Sequence, residues 1–171
     1  MISATAADSG FACTKALGHL PIIQRNTLES WGCGPARPLP YACIHLAFEA
    51  QAAAAPQQIA ALCLEQSISY EQLNRQANRL ARHLIEQGVV AGDTVALFVE
   101  RSIPMLVGLL AVLKIGAAYV PQDARITPPA QLTMILETLS SAVVLTLSGL
   151  KDRLPLAAGQ PCVCLDEFLA Q

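Results

Sequence analysis

An α/β fold of parallel βαβ layers, with a short antiparallel hairpin ahead of them, is the class this sequence predicts. Three observations carry it. Apolar strand-like runs alternate with helix-like runs from Thr94 onward. Glycines and prolines mark the junctions, as in LKIGAAYVPQD, Leu113 to Asp123. Hydrophobic residues make up 53% of the 171 and charged residues only 14%, so many elements must be covered on more than one side.

The elements follow in order. Residues 1–40 are punctuated by glycine and proline and read as a linker or tail, with a short helical piece around Gln24–Trp31. From Ala42, IHLAFEAQAAAA reads as a helix that Pro56 ends. IAALCLEQSISY reads as two short strands with a turn near Glu65-Gln66. Ser69 and Gln72 have capping-box spacing, so a helix starts there. Leu73, Ala77, Leu80, Ala81 and Leu84 form its apolar stripe, and Gly88 closes it as a left-handed cap. A strand follows at Thr94–Val99. Ser102 caps the next helix, Ile103–Ile115, with Pro104 in its first turn. That helix is apolar nearly all round and must be buried on more than one side. Gly116 ends it, and AAYV is the next strand, which makes a right-handed parallel crossover. Thr127-Pro128-Pro129 opens a third helix, which Ser140-Ser141 breaks. AVVLT (Ala142–Thr146) and PCVCL are further strands, with a helical turn at LKDRLP and a helix start at DEFLAQ. Three successive β/α units argue for a doubly wound parallel sheet.

Composition excludes several classes. Mean hydropathy is +0.43, yet the most apolar window, Ile103 to Val120, contains Pro104, Gly108, Lys114 and Gly116 and divides into helix and strand rather than one membrane span. The first 18 residues lack a basic lead and a long apolar core, so no secretory signal is expected. Net charge is −2 without a basic cluster, so neither nucleic acid nor membrane is an expected partner. The six cysteines, Cys13, Cys33, Cys43, Cys63, Cys162 and Cys164, contain no CxxC pair. They read as reduced thiols in a cytoplasmic protein, with Cys162 and Cys164 on one face of a strand. His19, His45 and His83 are scattered and suggest no metal centre.

Two stretches carry a family resemblance. Ser69-Tyr70-Glu71-Gln72-Leu73-Asn74, followed by RQANRLARHLIEQGV, resembles the first core motif of adenylation domains from nonribosomal peptide synthetases. GDTVALFVERSIPMLVGLLAVLKIGAAYVPQD resembles their second. The resemblance places the chain in the adenylate-forming superfamily and runs from about His45 to Leu169. It implies a linker at residues 1–41, similar to the connection after a condensation domain. It also implies that residues 42–171 are a truncated N-terminal portion of the large AMP-binding core.

The motif residues Ser69, Tyr70, Glu71, Leu73, Lys114, Gly116, Tyr119, Pro121 and Asp123 are expected to shape the fold rather than to react. Tyr70 and Leu73 anchor a helix start against the hairpin, Gly116 permits a sharp turn, and Pro121 stops ladder pairing at its strand's end. The sequence departs from the family pattern at Gln122, Ala124, Ile126-Thr127 and Gln131-Leu132.

In this family an amino-acid carboxylate attacks the α-phosphate of ATP, and the aminoacyl group passes to a carrier-protein thiol. That chemistry requires a Gly- and Ser/Thr-rich phosphate loop, Mg²⁺ and a lysine. SGLK, Ser148–Lys151, is a weak imitation of such a loop. No catalytic, cofactor-binding or metal residue is therefore expected here. ATP and Mg²⁺ are implied for the complete domain only, and the isolated chain is expected to be inactive. The implied partners are the rest of the adenylation domain, the carrier protein and the condensation domain. Two other readings stand beside this one. A noncatalytic interaction module would use a partner to cover the apolar Ile103–Ile115 helix, and a free nucleotide-binding domain would bind ATP.

Overall fold

The computed structural model describes residues 21–32, 40–139 and 143–171. The chain divides into two units, Met1–Pro40 and Tyr41–Gln171. In the first, helix α1 spans Ile22–Gly32 and contains the expected helical piece. Cys13, His19, Cys33 and the break at Ser140-Ser141 lie outside the described residues.

The second unit begins with α2 (Ile44–Ala54), then the antiparallel strands β1 (Ile59–Cys63) and β2 (Gln66–Ser69). The hairpin turn falls at Leu64-Glu65, one residue earlier than expected, with Leu64 left-handed (φ 54°) and almost fully exposed. A leucine there goes against local preference, which is why no turn signal marks the position. Helix α3 (Tyr70–Glu86) starts on a complete capping box. The Ser69 hydroxyl accepts from Gln72 N at 3.2 Å, and Ser69 N donates to Gln72 Oε1 at 3.2 Å. Leu73, Ala77, Leu80, Ala81 and Leu84 are all buried, and Gly88 is left-handed (φ 91°).

Four parallel strands follow: β3 (Thr94–Phe98), β4 (Ala118–Gln122), β5 (Val144–Thr146) and β6 (Cys162–Cys164). Their order across the sheet is β4-β3-β5-β6. Helix α4 (Ile103–Ile115) links β3 to β4, α5 (Pro129–Leu139) links β4 to β5, and a 3₁₀ helix (Ser148–Arg153) precedes β6. Helix α6 (Leu165–Ala170) follows.

Alternation along β3 divides the interior in two. Val95, Leu97 and Val99 join α3, α4, the hairpin and Leu165 in one core. Ala96 and Phe98 join Leu132 and Leu136 of α5, with Leu150 and Leu154, in the other. Helices thus lie on both faces, as a doubly wound sheet requires. Helix α4 is covered from within the chain by α3, the sheet, α2 and α6. The expectation that it needs an outside partner therefore falls away. No helix among the described residues is long and apolar enough to cross a membrane.

Pro121 corrects a second expectation, because it lies inside β4, opposite Leu97. Ala118 N donates to the Asp93 carbonyl at 2.8 Å, and the Gln122 carbonyl accepts from Val99 N at 3.0 Å. Even-numbered residues of β4 therefore face β3, and the missing N–H of Pro121 falls on the outer edge, where no strand pairs among the described residues.

Gly108 sets how closely α4 approaches the sheet. A Cβ there would sit 3.0 Å from Leu97 Cδ1, 3.2 Å from Leu165 Cδ1 and 3.5 Å from Leu145 Cδ1. Gly108→Val should cost about 2–3 kcal/mol through overpacking. Gly108→Ala should stay within about 1 kcal/mol of the parent, since alanine's gain in helix propensity offsets the crowding. Urea denaturation of both variants measures the difference.

Candidate functional site

In open parallel sheets ligands bind beyond the carboxyl ends of the strands, where successive crossovers leave in opposite directions. Here the chain passes from β3 to β4 on one side and then to β5 on the other, so that point flanks β3. Its floor is locked: the buried Thr146 Oγ1 donates to the Phe98 carbonyl at 2.8 Å, joining the ends of β5 and β3.

A crevice of about 480 Å³ opens beside it, lined by Val99, Arg101, Met105, Gln122, Asp123 and Arg125 among others. Its charges are organised around Arg125. That guanidinium meets Glu100 at 2.7 Å and Asp123 at 3.1 Å, while its Nε and backbone N also donate to Asp123 Oδ1, at 3.3 and 3.0 Å. Arg153 Nη2 donates to the Arg125 carbonyl at 2.9 Å, holding the loop from the other side. The side-chain hydrogen bond from Arg125 lowers the Asp123 pKa from its ordinary 3.8, and the same bond raises Arg125.

The sequence-selected residues do not converge here. Ser69, Tyr70, Glu71 and Leu73 belong to the start of α3. Tyr70 lies against Phe48 of α2 with ring centroids 5.8 Å apart, and Glu71 accepts from Gln57 Nε2 at 2.8 Å. Leu73 is buried in the first core. Lys114 and Gly116 precede β4, whereas Asp123 follows it, so they occupy opposite ends of that strand. Gly116 is left-handed (φ 84°), and its carbonyl accepts from Gly92 N at 3.0 Å. Tyr119 packs into the first core with Ala117. Lys114 Nζ is paired with Glu49 Oε1 of α2; its side chain is only 6% exposed, against 40% for the glutamate.

Sequence reading missed Arg125, Glu100 and Thr146. The available signal was positional: Glu100-Arg101 directly follow the central strand, where ligand-facing groups of this fold gather.

Chemically the crevice's carboxylate, Asp123, is committed to internal pairing. Asp123 and the neighbouring Glu100 both face Arg125, and no group of three His, Cys, Asp or Glu converges on a metal position among the described residues. Ser148–Lys151, the phosphate-loop imitation, lies in the 3₁₀ helix. Its Ser148 N donates to Asp166 Oδ1 at 2.9 Å, and the hydroxyl is bound to Oδ2. Burial acts to raise the Asp166 pKa, but the two bonds from Ser148, together with backbone N–H groups of Asp166 and Glu167, outweigh it and leave the group below its ordinary value. Mg²⁺–ATP thus does not fit these residues, and no catalytic step is assigned to them. Cys162 and Cys164 face the same side, opposite Val144 and Thr146, and burial pushes both thiols up, away from thiolate chemistry.

The AMP-binding enzyme family matches residues 48–169. A linear gramicidin synthase of Brevibacillus parabrevis is 50% identical over 127 residues, covering 74% of this chain and 2% of the relative. Adenylate-forming reductase 06235 of Coprinopsis cinerea is 39% identical over 153 residues, covering 90% of this chain and 15% of the relative. Among solved structures, the AMPPNP-bound form of the nonribosomal peptide synthetase FmoA3 is similar with a TM-score of 0.73 and 32% identity. That match covers 78% of this chain and 14% of the synthetase. The chain therefore spans a small fraction of the length of these relatives.

Two outcomes follow from the paired charges. Lys114 is the buried partner, so Glu49→Gln strands a cation and should cost on the order of 3 kcal/mol, whereas Lys114→Met should cost less, since Glu49 keeps part of its hydration. Thermal and urea unfolding of the two variants checks that asymmetry. The lowered Asp123 pKa adds stability that is present above its ordinary 3.8 and is lost as pH falls through the folded value below it. Asp123→Asn should therefore lower stability at neutral pH and flatten the decline below pH 3.8, read as the urea midpoint against pH. Asp166 is also depressed and should leave a residual slope.

Proposed function

The chain belongs to the AMP-binding enzyme family, and from that membership we propose that residues 42–171 are the N-terminal portion of an adenylation domain of a nonribosomal peptide synthetase. The complete enzyme activates an amino acid with ATP and Mg²⁺, forming aminoacyl-AMP and releasing pyrophosphate. It then passes the acyl group to the phosphopantetheine thiol of a carrier protein. Residues 1–41 serve as the connection from a condensation domain. The partners are accordingly the remaining parts of the synthetase, and the reduced thiols suit a cytoplasmic setting.

The observation that carries this reading is the coincidence of two facts. The family match spans the whole four-stranded sheet, and of the nine motif residues most sit in caps, turns and packing positions while Lys114 and Asp123 are held in ion pairs. In this reading the chain supplies scaffold, and the phosphate-handling groups belong to other parts of the domain. Ser69, Tyr70, Glu71, Leu73, Lys114, Gly116, Tyr119, Pro121 and Asp123 act by holding helices and strands in register.

A chimera tests the proposal. Residues 48–169 replace the matching segment of an adenylation domain from the Brevibacillus parabrevis linear gramicidin synthase. The expected result is amino-acid-dependent ATP–pyrophosphate exchange by the folded chimera, with the recipient domain's amino-acid preference kept, and no exchange by the 171-residue chain alone. A folded but inactive chimera would count against the scaffold role. Exchange by the isolated chain above a heat-killed control would overturn its predicted inactivity.

A further inference from the structure

We draw no further inference here: the strongest candidate, the pair of thiols that Cys162 and Cys164 present on one face of β6, carries nothing, because no third His, Cys, Asp or Glu joins it to form a metal position among the described residues and burial raises both thiols away from the reactive thiolate.

Discussion

Burial of β3 on both faces is the constraint on which the rest of the structure depends. Val95, Ala96, Leu97 and Phe98 are fully buried and Val99 nearly so. A strand with no wet face needs cover above and below, and its alternating side chains decide what covers it. The odd residues call for α3 and α4, and the even ones for α5. The same demand explains why α4 is apolar nearly all round, since it lies between that strand and a second layer of helix. Gly108 belongs to this logic, because the branched tips of Leu97, Leu145 and Leu165 occupy the space a side chain would need.

The carboxyl ends of the strands are where such folds place chemistry, and here they are closed by internal bonds. Thr146 joins β5 to β3, Arg125 gathers Glu100 and Asp123, and Asp166 holds the loop after β5 through Ser148. Each bond satisfies a group that a ligand would otherwise have to satisfy. Preorganised pairing of this kind fixes the geometry of the crevice rim. Charge at this rim therefore serves geometry, and acid weakens the geometry by protonating the carboxylates.

Local devices were legible from sequence because their causes are local. The capping box at Ser69 and Gln72, the Ser102 cap and the glycine at 116 each involve residues within a few positions of one another. The stripe on α3 was legible for the same reason. Failures arose where a distant partner decides the outcome. Pro121 is tolerated inside β4 because its nitrogen faces an edge that is unpaired among the described residues, which depends on strand order. Leu64 turns the hairpin although nothing in its own chemistry favours that conformation. The Lys114–Glu49 pair spans two helices, and the Arg125 cluster joins groups that follow two different strands, so no motif spacing reveals either.

Lys114 illustrates how a motif residue that looks functional can be engaged in internal pairing. A lysine two residues before a glycine, at the junction of α4 and β4, invites a phosphate-binding role, since cations and glycines serve nucleotides elsewhere. Yet its ammonium is buried against Glu49, at the end of β4 opposite the crevice. A cation so placed joins α2 to α4. One ion pair thus anchors a helix, and the asymmetry of its two ends follows from which partner is buried.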